Sequence, residues 1–335
     1  MLKQIFSIFI LCCLALRGPA AERSVAAPAV NSGARVVEVF DPRATFELQP
    51  QPDQVRALFR QGLLQFTQKT NVTLAWATLV STNDIIGLKV YSEPGANSGT
   101  RPSVVAALVE TLIEGGISPE RIILWDKDLV KLRLAGFTDL AARYKVKVAA
   151  SSAAGYDPKT FYENSVIGNL IWGDLEFGKK DDSTIGKKSF VTKLLVHNIT
   201  KIIDVVPLLN HNLAGTTGHL CSVALGSVDN TQRFEQGERL ATALPEIYAL
   251  PSVGDKVILN ITDALLCQYQ GEQRSLLHYS SALNQLWFSK DPVALDVLAI
   301  AELDRQRETA KIPGKKTDLE IYRNASLLEL GVSDL

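Results

Sequence analysis

Cysteine is scarce in this chain of 335 residues: there are four, and Cys12 and Cys13 lie inside an apolar run near the amino terminus. The remaining pair, Cys221 and Cys267, allows one disulfide or, unbonded, two small buried hydrophobes. It excludes a disulfide framework and a metal-binding cysteine pair. Net charge is also missing. The formal value is −1, and the basic pairs Lys179-Lys180, Lys187-Lys188 and Lys315-Lys316 are separated by acids and turns. Such a pattern reads as solvated surface and argues against a nucleic-acid partner. No apolar stretch reaches the ~20 residues that cross a ~30 Å hydrocarbon core, so no transmembrane segment is expected. Several signatures are absent as well: Gly-x-Gly-x-x-Gly after the first strand, Gly-x-Ser-x-Gly, His-x-x-x-His, Cys-x-x-Cys and an acidic calcium loop. Dinucleotide binding and serine hydrolysis therefore have no support, and no spacing fixes a metal geometry.

What is present begins with a leader. Lys3 gives a positive start, Ile5 to Leu16 is apolar apart from Ser7, and Gly18-Pro19-Ala20-Ala21 offers small residues for cleavage. That grammar predicts a secretory signal over residues 1–21 and a periplasmic or extracellular protein. Residues 22–50, rich in Ala, Pro and Ser, read as a linker or loosely packed arm. Residues 51–335 read as a single α/β domain. Val55, Leu58, Phe59, Leu63, Leu64 and Phe66 recur at helical spacing. Strands at Ile85 to Tyr91, Ile122 to Trp125 and Val146 to Ala150 then alternate with helices at Pro102 to Glu114 and Lys127 to Ala135. This alternation predicts a mostly parallel sheet with helices on both faces. Residues 155–189 carry repeated glycines and read as an insertion or lid. Further strands are expected at Lys201 to Val206, Lys256 to Asp263 and Trp287 to Ser289, with a helix opening at Asp291-Pro292.

Sites in such sheets gather beyond the carboxyl ends of the strands. Asp126, His211, Asp263 and Asp291 follow or end predicted strands and form the expected metal or acid–base group, since imidazole and carboxylates suit divalent cations. Asp291 also reads as a helix cap. Gly215, Thr216, Thr217 and Gly218 form a candidate anion cradle at a helix start, although no Gly-Lys-Ser/Thr follows; a turn that lets a helix pack closely is the alternative. His197, His219 and His278 are further candidates, although a histidine standing alone is more often satisfied or exposed than a ligand.

Four ordered blocks between roughly residues 70 and 308 resemble the domain-of-unknown-function 362 family. They are Asp84 to Val90, Arg101 to Asp126, His211 to Gly218 and Ser289 to Asp296. The resemblance implies an α/β domain and marks Lys89, His211, Asp263 and Asp291 as positions of interest, with Lys89, His211 and Asp263 as the catalytic set. Many relatives carry a cysteine-rich cluster insert, and this chain has no run of cysteines to hold an iron–sulfur cluster. Leu209 or Asn210, Cys221-Ser222 and Tyr91 stand where the family pattern has Lys, Lys-Asn and Asn. Two readings follow. One is an exported enzyme or binder of a divalent metal or small anion around His211, Asp263 and Asp291. The other is a non-catalytic binding or interaction module on the same fold. Mass analysis of the exported protein should give an amino terminus at Glu22; a chain retaining Met1 would remove the leader reading.

Overall fold

Residues 33–179, 184–234, 238–313 and 317–334 are described in this computed structural model; the leader and residues 22–32 lie outside them. The strands, in chain order, are β1 (Val36–Phe40), β2 (Thr45–Phe46), β3 (Gln49–Pro50), β4 (Ile86–Val90), β5 (Ile122–Asp126) and β6 (Lys147–Ala150). They continue as β7 (Tyr156–Asn169), β8 (Ile185–Thr192), β9 (Lys201–His211), β10 (Gly215–Thr216), β11 (Val257–Gln268) and β12 (Ser280–Ser289). The α-helices are α1 (Pro52–Thr67), α2 (Val72–Ala77), α3 (Pro102–Glu114), α4 (Leu129–Leu134) and α5 (Phe137–Tyr144), then α6 (Ser151–Ala154), α7 (His219–Ser227), α8 (Arg239–Tyr248), α9 (Pro292–Thr309) and α10 (Glu320–Leu327).

Every residue of β4 and β5 is buried, as befits central strands covered on both faces. The sheet runs β1-β12-β11-β9-β4-β5-β6, with β10 beside β9. Pairings from β11 through β9, β4 and β5 to β6 are parallel. Those of β12 with β11 and β1 with β12 are antiparallel. Leu88, Leu124, Ile203 and Ile261 point to one face, where they meet α1 to α5. Ile123, Trp125 and Ile202 point to the other, under α7 to α10. The α/β pattern expected from the sequence is thus the fold of the chain.

Local signals explain the helices. α1 opens with Pro52 and Asp53 in its first turn, buries Val55, Leu58, Phe59, Leu63 and Phe66, and ends at Gln68 in the left-handed region. α9 is capped by Asp291, whose carboxylate accepts from the Ala294 N–H at 2.8 Å.

One expectation changes, and two that the sequence left open are filled in. Part of the segment read as a loose arm is built into the sheet: β1 pairs with β12 along its whole length, and Val39 is buried. A strand at a sheet edge needs only one hydrogen-bonded neighbour, so weak periodicity suffices. The insertion over 155–189 is a long antiparallel hairpin, β7 with β8; Asp229 accepts from the N–H of Phe190 in β8 and from that of Leu175 in the segment between the two strands. Its tip exposes Trp172 against Phe177. Lastly, Cys221 and Cys267 are buried thiols in different clusters of the core, with no disulfide joining them. Among the described residues no helix is long and apolar enough to cross a membrane.

The contact between α1 and β12 rests on one small residue. A Cβ on Gly62 would lie 2.2 Å from the Phe288 ring, which also stacks edge-on with Phe59 at 5.5 Å. Gly62→Ala should therefore lose about 1–3 kcal/mol by overpacking, despite the ~1 kcal/mol that Ala gains over Gly in a helix. Adding Phe288→Leu should return part of that loss in urea unfolding. A stabilised Gly62→Ala variant would contradict this packing.

Candidate functional site

The sheet does bring polar residues together, but not the set that the sequence nominates. β12 runs antiparallel to β11 with Ser289 opposite Asn260, so Asp291 emerges at the amino ends of the parallel strands. Its carboxylate is occupied there by the N–H groups of Ala294 and Val332. It also lines a cavity of about 370 Å³ with Arg35 and Lys290. His211 ends β9 at the opposite edge, roughly 20 Å away along the strands at ~3.3 Å per residue. The convergence expected of Asp291 with His211 needed β12 to be parallel, and it is not.

Asp263 is taken up by a partner of its own. It lies inside β11, fully buried, and faces α3: Arg101 Nη1 is 3.0 Å from Oδ1, and the Arg101 N–H donates to Oδ2 at 3.0 Å. His211 folds back on its own turn. Its Nδ1 accepts from the N–H groups of Leu213 at 3.2 Å and Ala214 at 3.1 Å. A neutral imidazole has one acceptor and one donor nitrogen, so the proton sits on Nε2. In that tautomer Nε2 has no lone pair for a metal or a proton. Burial holds the imidazole below its usual 6.5, with Glu272 opposing, which favours this neutral form.

The anion cradle is filled from within. Thr216 Oγ1, Thr217 Oγ1 and the Thr217 N–H all donate to the Leu209 carbonyl. At the start of α7 the N–H groups of His219 and Leu220 donate to Asp296 at 2.6 and 3.0 Å. Gly218 is required here, because its φ is +37° and a Cβ would lie 2.5 Å from the Asp296 carboxylate. Asp296 thus takes the position in which an external anion was expected. Burial pushes its carboxyl up to about 6, against the pull of His219 and these N–H bonds.

Lys89 and Asp126 are brought together, and they head a chain of buried polar groups under α7. Lys89 Nζ donates to Asp126 Oδ1 at 2.8 Å, to the Val90 carbonyl at 2.8 Å and to Ser222 Oγ at 3.2 Å, which engages all three of its protons. Trp125 lies beside it, with the ammonium 5.6 Å from the ring centre. Ser222 donates onward to Asp204 Oδ1 at 3.1 Å. The other oxygen of Asp204 accepts from His219 Nδ1 at 2.7 Å, and His219 Nε2 meets Thr262 Oγ1 at 3.1 Å. The register explains the row: Lys89 pairs with Asp204 and Asp204 with Asn260, so their side chains share one face of the sheet.

Asp204, Ser222 and Asp296 are the members that sequence reasoning missed, whereas His219 is a satisfied histidine, as its reading from the sequence had it. Asp204 had a signal, since an acid inside Ile202-Ile203-Asp204-Val205-Val206 must be buried on one side and needs a partner. Asp296 closes the last block of the family resemblance. Residues that depart from the family pattern also gather here: Ser222 binds Lys89, and Tyr91 stands near Cys221 and Asp126. Burial first, then Cys221 and Glu93, raise the Tyr91 phenol well above its usual value. Among the described residues no group of three or more His, Cys, Asp or Glu side chains is arranged to hold a metal ion.

For Asp126, burial favours the protonated form, but Lys89 and the two hydrogen bonds from Ser92 outweigh it and hold the carboxyl below 3.8. Its contribution to stability is therefore present above the unfolded value and lost as pH falls through the lowered folded value. Lys89→Met, which leaves that carboxylate buried without its cation, should cost about 3–5 kcal/mol. The deficit should be largest near neutral pH and shrink as pH falls, because burial without Lys89 favours the protonated Asp126 carboxyl, and Asp126→Asn should recover part of it at neutral pH. A deficit in Lys89→Met that is the same at neutral and acid pH would contradict the pairing.

Comparison with known proteins gives a family without a reaction. No curated protein matches the chain. A solved structure of a protein from Thermotoga maritima is similar at 12% identity with a TM-score of 0.40, over 77% of this chain and 59% of that one. The present chain thus spans less than two thirds of that neighbour. Residues 86–301, which run from β4 into α9 and include Lys89, Asp204, His219 and Asp296, match the family described as a domain of unknown function, DUF362. With most of its length inside that match, the chain belongs to the DUF362 family.

Proposed function

We propose that this protein is an exported, non-catalytic binding module that retains the DUF362 fold. One observation carries the reading: His211, the imidazole at the carboxyl edge of the sheet, uses Nδ1 as an acceptor for two backbone N–H groups and so presents neither a base nor a ligand lone pair. The other histidines are engaged as well. His219 is enclosed between Asp204 and Thr262, His197 pairs with Asp157, and the His278 ring lies 4.2 Å from that of Tyr279. Lys89 has no free proton to give and is 1% exposed, which argues against a nucleophilic or acid–base role. Export is supported by the leader grammar of Lys3, Ile5 to Leu16 and Gly18 to Ala21.

The competing reading, a metal-assisted site at His211, Asp126, Asp263 and Asp291, requires these side chains to leave their present partners and cross between faces and edges of the sheet. Elemental analysis of protein recovered from its export compartment tests the two. The module reading expects no stoichiometric divalent metal, no change in melting temperature on adding a chelator, and the same result for His211→Ala. One equivalent of metal that is lost in His211→Ala would overturn it.

A further inference from the structure

Two cations oppose each other at one end of the sheet edge, and neither has a carboxylate. β1 and β12 are antiparallel with Val36 opposite Ser289, so the next positions along, Arg35 and Lys290, stand across from each other. By strand alternation they continue the row of Val37, Val39, Leu286 and Phe288, which faces the core under α1. Like charges placed opposite on paired strands are destabilising. Arg35 is nevertheless held in place: Nη2 donates to the Gln65 carbonyl at 2.9 Å, and Gln68, with its amide oxygen turned to the guanidinium, accepts from Nη1 and Nη2 at 3.2 Å. Its Nε and the Lys290 ammonium have no acceptor among the described residues. Both side chains are exposed, so a ligand can meet them without displacing an internal partner.

The two cations line the cavity of about 370 Å³ that also touches Asp291. Phe66 at the end of α1 and Leu79 after α2 supply its apolar wall. The Thr67 and Thr78 hydroxyls donate to the carbonyls of Leu63 and Ala75, at 2.8 and 2.7 Å, and so turn no proton into the cavity. Asp291 is occupied by the N–H groups of Ala294 and Val332. We propose that this cavity binds a small organic monocarboxylate with an apolar body the size of one ring. The carboxylate sits between Arg35 and Lys290, where it replaces a repulsion by charge-assisted contacts. The body rests on Phe66 and Leu79. At longer range Asp291 cancels one of the two positive charges, and the one in excess suits a monoanion better than a dianion. The volume lies near the lower limit of the ~300–1,000 Å³ of small-molecule sites, which fits a single ring.

This inference rests on the binding-module reading and gives it a ligand class. The test is calorimetric titration of the full chain with sodium benzoate, benzamide and inorganic phosphate at constant ionic strength. Benzoate should bind saturably at millimolar concentration or below. Benzamide keeps the ring without the charge, and phosphate keeps a charge without the ring; each should bind at least about 10-fold more weakly. Lys290→Gln should weaken benzoate about 10-fold, the size of one charge-assisted hydrogen bond. It should not lower the melting temperature of the free protein, since it removes a repulsion. Lys290→Glu should abolish binding and raise that temperature, because a carboxylate of the chain then takes Arg35. Absence of saturable binding, equal binding of benzamide or phosphate, or undiminished affinity in both variants would overturn the site. The metal measurement is independent: a metal-containing protein that still binds benzoate would keep this site and lose the module reading. A metal-free protein that takes up no benzoate would lose the site alone.

Discussion

An ammonium group and several carboxylates are buried between the sheet and α7, and the arrangement holds only because they satisfy one another. Lys89 would be costly at 1% exposure without Asp126 and Ser222, and Asp204 would be costly without Ser222 and His219. The chain of contacts crosses β5, β4, β9 and β11 in turn and reaches up into α7, so it fixes the order of four strands and the seating of the helix together. Asp296 ties in α9 by holding the first N–H groups of α7. A polar interior of this kind adds little net stability compared with an apolar one, but it restricts how the elements can be stacked.

That requirement also bears on chemistry. The residues that look reactive in the sequence are those whose charges the fold must neutralise. Asp263 holds Arg101 at the start of α3, Asp291 holds the start of α9, and His211 closes the turn into β10. Each accepts from backbone N–H groups where a helix or turn begins, because such groups collect there and need an acceptor. Carboxylates at strand ends are therefore ambiguous: catalysis and capping call for the same residue types in the same places.

Much of the architecture was legible. Apolar runs at Ile86–Val90 and Ile122–Asp126, with helices between them, specify a parallel sheet covered on both faces, and Pro292 after Asp291 marks the start of α9. Strand direction was not legible for β12, since alternation is identical in either orientation; that one ambiguity moved Asp291 to the wrong edge of the site. β1 escaped because an edge strand with one fully buried residue leaves almost no periodic trace. The pairings of Lys89 with Asp126 and of Asp204 with His219 span separations of 37 and 15 residues. Local spacing carries no information about contacts of that kind. Asp204 and Lys89, each charged within an apolar strand, announced that partners had to exist.

The pairing of β1 with β12 has a consequence for how the chain reaches this state. Val36 lies opposite Ser289, so the sheet cannot close along that side until nearly all of the polypeptide is available. Closing so large a loop is entropically late, and folds dominated by such distant contacts form slowly. Until then the edge of β12 stays unpaired. The delay leaves a strand edge open to aggregation for as long as it lasts.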